Sequence, residues 1–133
     1  MANKLLIPIH ERNSHWTLVV VDPALMKIEY YDSYRSDGND VMESVLDFLQ
    51  EEHQYSGLDF NRSSWTMNNI NDVPLQTDGS SCGPMALLTA ESIGLEKPIS
   101  HSQNDIQDVR KKMQYVLIRE SIEDSYVYDI DKS

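Results

Sequence analysis

One cysteine, Cys82, is all the thiol this 133-residue chain holds. An internal disulfide is excluded, and so is a zinc site built on cysteines; a reducing compartment is the natural home of such a chain. Cationic residues are scarce as well: 11 Lys and Arg stand against 22 Asp and Glu, a formal net charge of −11. Phosphate binding needs a cationic face, so nucleic acid is not an expected partner. Long apolar runs are missing too. Nothing approaches the ~20 residues that a membrane helix needs, so no membrane is expected. Leu5 to Ile9, interrupted by Pro8, is too short for a signal peptide. The four histidines, His10, His15, His53 and His101, show no ligand spacing. No metal and no cofactor is expected.

What is present is an ordinary globular composition, 40% hydrophobic and 25% charged, over a length that suits one core. The stretch "SHWTLVVVDPALMKIEYYDS" reads as a β-hairpin, with β-branched and aromatic arms around a "DPALMK" turn. Both faces of its arms are apolar, which places the strands inside a sheet. "DVMESVLDFLQEEH" has Val41, Val45, Phe48 and Leu49 at helical spacing, with Asp40 and Glu43 placed as a capping box. "SSWTMNNI" reads as a short strand and "NDVPLQTDGSS" as a loop. "GPMALLTAESIG" reads as a helix, apolar around most of its circumference and so central and buried. A last helix carries Ile106, Val109, Met113 and Leu117 on one stripe, opened by a Ser102/Asp105 capping pattern. The fold class is α+β, a small mixed sheet packed against helices. Residues 1–121 read as one domain and residues 122–133 as an acidic tail.

The seam at "QTDGSSCGPMALL" concentrates the chemistry. A lone cysteine is more often a small buried hydrophobe than a nucleophile. Cys82, however, falls where a polar loop enters an apolar helix, and free N–H groups at a helix start stabilise a thiolate. Gly83 removes a side chain just where a substrate carbonyl would approach. A nucleophilic thiol needs a base, and the base an orienting group. If Asp22 pairs with Lys27, facing residues of the hairpin sum to 49, and Thr17 faces Asp32. His15 is then the diagonal neighbour of Asp32 on the same face, within side-chain reach. A one-residue slip would put them on opposite faces. Gln76, six residues before Cys82, could donate to an oxyanion together with the Cys82 backbone N–H. Trp16 points away from His15, either as core or as the lining of a substrate channel.

Together these residues resemble the ubiquitin-like-protein-specific, SUMO/sentrin-type cysteine proteases, a family related to the adenovirus protease. The resemblance is carried by "HW" (His15, Trp16), "YYDS" (Asp32) and "QTDGSSCG" (Gln76, Cys82, Gly83), and spans Leu6 to about Leu117. The order His, Asp, Gln, Cys is the reverse of papain's. The resemblance implies a papain-like superfold with permuted order, a Cys82–His15–Asp32 triad, Gln76 in the oxyanion hole, and Trp16 and Gly83 against the substrate. It implies hydrolysis after the C-terminal diglycine of a ubiquitin-like modifier through a thioester, in the nucleus or cytoplasm.

Two departures stand out. Ser81 occupies the position before the cysteine, where SUMO proteases typically have Asp. The family also carries a helical part ahead of the His-Trp strand, which grips the modifier and walls the diglycine channel; here His15 comes after 14 residues. Apolar surface beside Trp16 is therefore expected to be exposed, or covered by a second copy or a partner protein. Three other readings stay open: a binding module of this fold that no longer cleaves, an acetyltransferase of the same fold, and a chymotrypsin-like viral cysteine protease. The last predicts strands after Cys82, where the sequence is helical.

Overall fold

The computed structural model of the chain describes residues 3–12, 14–112 and 114. A four-stranded sheet is built from β1 (Leu5–Glu11), β2 (His15–Asp22), β3 (Lys27–Tyr31) and β4 (Thr66–Ile70), in that spatial order. β1, β2 and β3 run antiparallel, and β4 lies parallel to β3. A parallel return needs a crossover, and α1 (Asn39–Tyr55) supplies it. α2 (Cys82–Gly94) lies against β2 and β1. Residues up to Gln103 form one compact unit; helical residues 106–112 belong to a second.

The hairpin register is the one the turn predicts, from Asp22 opposite Lys27 to Leu18 opposite Tyr31. β2 is buried along Thr17–Asp22 because both of its faces are covered. Val19 and Val21 join Ile28, Tyr30, Met42, Leu46 and Leu49 in the core on the α1 side. By alternation Leu18 and Val20 turn to the other face, and Trp16 shares their parity. Fully burying a Val, Leu or Ile side chain contributes about 1.5–3 kcal/mol, so this strand is the centre of stability.

Several sequence expectations are corrected. β1 is an edge strand that the periodicity does not announce. Pro8 is tolerated in it because an edge strand leaves one side of its ladder unpaired. α1 starts before Asp40, with Gly38 at its N-cap and no side-chain cap, so the Asp40/Glu43 box does not form. Its buried stripe is Met42, Leu46 and Leu49, while Phe48 is exposed. Residues Arg62–Ser64 form a 3-10 turn ahead of β4. α2 is less enclosed than its composition suggests: Cys82, Met85 and Thr89 are buried, but Leu87 is 52% exposed. Gln103–Asp105 is a 3-10 turn. Met113, Leu117 and the acidic tail from residue 122 lie outside the described residues.

Candidate active site

The end of the hairpin carries a histidine bonded to a buried carboxylate. His15 opens β2, and Asp32 follows the last ladder pair of β3. His15 Nε2 lies 2.6 Å from Asp32 Oδ1. Asp32 is 2% exposed. Burial pushes its carboxyl up, but hydrogen bonds from the Ser36 hydroxyl, the Tyr34 N–H and His15 outweigh it and hold it below the ordinary value. An ionised Asp32 can only accept, so the proton of this contact sits on Nε2. Nδ1 is then the basic nitrogen of a neutral His15 ring. The Tyr34 ring stacks on His15, with centroids 4.9 Å apart. Beneath the pair, Glu11 Oε2 accepts from Thr17 Oγ1 at 2.9 Å and from the Tyr30 hydroxyl at 2.5 Å. Burial first, then the Glu11 bond, push the Tyr30 phenol up, so it remains a donor.

Cys82 opens α2, and Gln76 stands on the segment between β4 and α2, which has no ladder. It is stitched instead to the loop after Asp32. Arg35, in the left-handed region at φ 57°, donates Nη2 to the Val73 carbonyl at 2.7 Å. Gln76 N–H donates to the Ser33 carbonyl at 2.8 Å, and Ser33 Oγ donates to Gln76 Oε1 at 2.6 Å. The Gln76 side chain is thus buried beside the carboxylate end of the hairpin. Its Nε2 donates to the Asp78 carbonyl at 2.9 Å and to Asp78 Oδ1 at 3.2 Å. To reach an oxyanion, the amide must turn one of its two N–H groups away from Asp78.

Asp78 also holds the approach to the cysteine. Its Oδ1 accepts from Ser80 N and Ser81 N, and its Oδ2 accepts from Ser81 Oγ at 2.6 Å. The Ser81 hydroxyl is spent on Asp78, and no side chain caps α2. The first helical bond runs from Met85 N to the Ser81 carbonyl at 3.0 Å. The N–H groups of Cys82 and Gly83 therefore have no intrahelical acceptor. Cys82 itself is a free, buried thiol.

The halves meet between the neighbours of His15 and Cys82. A Cβ placed on Gly83 would stand 3.8 Å from Trp16 Cδ1. Trp16, 42% exposed, stacks on His10 at 4.5 Å and lines an apolar pocket of about 290 Å³ with Pro8, Gly83, Ala86 and Leu87. The apolar surface expected beside Trp16 is thus open among the described residues. His53 Nδ1 contacts the Leu49 carbonyl at the end of α1. No group of three metal-ligating side chains exists among the described residues. No described helix is long and apolar enough to cross a membrane.

Sequence reasoning anticipated neither Tyr34, Asp78, Glu11 nor Arg35. For Tyr34 a signal existed: an Asp followed by small polar residues favours an Asx-type turn onto the N–H two residues on. Tyr34 N donates to Asp32 Oδ1 at 2.8 Å in just that way.

Known proteins resemble this chain in sequence and in fold. Residues 2–124 match the Ulp1 protease family, C-terminal catalytic domain. Human sentrin-specific protease 2 is 33% identical over 121 residues, covering 89% of this chain and 20% of that protein. The sentrin-specific protease of Caenorhabditis elegans is 28% identical over 119 residues, covering 89% of this chain and 17% of that protein. The chain thus spans about a fifth of the length of such relatives. Among solved structures, the SUMO protease Ulp1 with its catalytic cysteine oxidised to a sulfonic acid has a TM-score of 0.73 at 22% identity, covering 89% of this chain and 54% of that one. The C-terminal Ulp1 protease domain in complex with Smt3, the yeast orthologue of SUMO, has a TM-score of 0.65 at 24% identity, covering 80% and 48%. These structures establish the fold: α+β, of the papain-like kind.

Proposed function

The chain belongs to the Ulp1 protease family, and from that premise we propose that it is a cysteine-type peptidase or isopeptidase cutting after the C-terminal diglycine of a ubiquitin-like modifier, SUMO-type before others. The observation that supports this most is the 2.6 Å contact between His15 Nε2 and the buried Asp32 carboxylate, which leaves Nδ1 as a base. Relatives named as SUMO and sentrin proteases support the substrate class.

In this reading His15 Nδ1 takes the Cys82 proton, and the thiolate attacks the carbonyl of the last glycine. The oxyanion is met by the Cys82 N–H and by one N–H of Gln76 turned from Asp78. Imidazolium His15, stabilised by Asp32, then protonates the leaving amine, and a thioester remains. Water, deprotonated by His15, hydrolyses it and restores the thiol. The diglycine lies along the pocket of Trp16 and Gly83. The open pocket wall beside Trp16 and Leu87 is also where a second copy or a partner chain would sit. The protein works inside the cell, in the nucleus or cytoplasm, where Cys82 stays reduced.

The test is a panel of modifiers ending in diglycine and carrying a C-terminal electrophile: SUMO-type, ubiquitin and others. Covalent capture of a SUMO-type probe, lost in Cys82→Ser, is the expected result. No capture of any probe by the wild-type chain would overturn the reading.

A further inference from the structure

Seven hydrogen bonds converge on one exposed residue that touches neither the cysteine nor the histidine. Asp78 Oδ1 accepts from Ser80 N at 3.2 Å, Ser81 N at 2.9 Å and Gln76 Nε2 at 3.2 Å. Its Oδ2 accepts from Ser81 Oγ at 2.6 Å and Gln103 Nε2 at 3.1 Å. Its carbonyl accepts from Gln76 Nε2 and from the Tyr34 hydroxyl. Five of these bonds come from the residue before the nucleophile, the oxyanion glutamine and the ring stacked on His15; Ser80 and Gln103 supply the other two. The carboxylate takes its donors from its own loop and from Gln103, and those bonds hold it below the ordinary carboxylate value, the Ser81 hydroxyl contributing most.

We propose that Asp78 is the positioning residue of the site, fixing Gln76, the Cys82 approach and the Tyr34 ring over His15 as one unit. The proposal rests on the peptidase reading above. Ser81 cannot serve this role by itself. Its hydroxyl donates to Asp78 and receives Gln103 Nε2 at 3.3 Å. The carboxylate of this loop has its place three residues before Ser81. Asp78 acts through its neighbours, so its loss should lower turnover while leaving the substrate groove beside Trp16 unchanged.

The experiment uses the full chain. Cleavage of a short diglycine substrate in the cold and the melting temperature are measured for the wild type, Asp78→Asn and Asp78→Ala. Small misplacements at a reacting centre cost up to ~100-fold, so kcat should fall about 10-fold in Asp78→Asn and about 100-fold in Asp78→Ala, with KM within about threefold. A Gln76→Ala/Asp78→Ala double variant should lose less than the product of the single losses, since Asp78 acts in part through Gln76. A stability role alone would lower the melting temperature and leave kcat in the cold unchanged. Two results overturn the proposal: Asp78→Ala with kcat unchanged, or losses that multiply in full. A wild-type chain that leaves the substrate uncut overturns the peptidase reading itself, and does so before any Asp78 variant is measured.

Discussion

His15 and Asp32 stand at the end of two strands whose backbone ladder sets their separation; Gln76 stands on a loop with no ladder at all, and Cys82 opens the helix that this loop enters. The first half inherits its geometry from a strand buried on both faces. The second half depends on side chains reaching across between loops: Arg35 to the Val73 carbonyl, Ser33 to the Gln76 side chain, Tyr34 to the Asp78 carbonyl. The difference teaches where each kind of damage should fall. Changes in the hairpin should act through stability or through the imidazole. Changes in the loop should act on turnover at nearly constant stability.

The largest expected effect is at the nucleophile. Cys82→Ser should abolish hydrolysis and probe capture while the chain still folds; retained hydrolysis would remove Cys82 from the mechanism. Next comes Asp32→Asn, which offers His15 an amide donor and favours the wrong tautomer. By analogy with the serine triad, kcat should fall on the order of 10⁴-fold. A loss below tenfold would reduce Asp32 to a polar strand end. On the loop side, Gln76→Ala should lower kcat by roughly 10²–10³-fold with KM little changed. An effect confined to KM would move Gln76 from the oxyanion to substrate binding.

Smaller effects sharpen the contrast from the hairpin side. A Cβ on Gly38 would stand 2.1 Å from Tyr30 Cγ, inside a buried ring that has nowhere to go. Overpacking of this kind costs about 1–3 kcal/mol, so Gly38→Ala should melt several degrees lower and keep its kcat in the cold. Full stability in that variant would show that the ring and the α1 start move together at no cost. Acid should act in the same region. Asp32 is held below its ordinary value of 3.8, so it binds a proton more weakly folded than unfolded. Its contribution to stability is fully present above 3.8 and is lost as pH falls through the lower folded value. Asp32→Asn should therefore show a shallower fall of stability in acid than the wild type. Parallel curves would mean that other carboxylates carry the acid response.

The same division explains what the sequence disclosed. The hairpin was legible because a turn and a period of two determine which residues face each other, and that arithmetic leads from Asp22 and Lys27 to His15 and Asp32. Cys82 at the start of α2 was legible from the change of composition and from Pro84 in the first turn. β1 was not, because Pro8 hides a strand that survives only at a sheet edge. The contacts of Asp78 and Tyr34 were not, because loop-to-loop hydrogen bonds have no period and join residues 44 apart. The exposure of α2 was misjudged for a related reason: apolar composition measures what a helix could bury, and Leu87 lines an open pocket.

The central claim is that the hairpin imidazole activates the thiol at the start of α2. The most direct measurement is the rate of Cys82 alkylation at neutral pH in the wild type and in His15→Ala, where the single thiol makes the signal unambiguous. The account predicts a wild-type thiol that reacts far faster than a free cysteine, and a His15→Ala thiol whose rate falls back toward that of a free cysteine. Equal rates for the two proteins would contradict it.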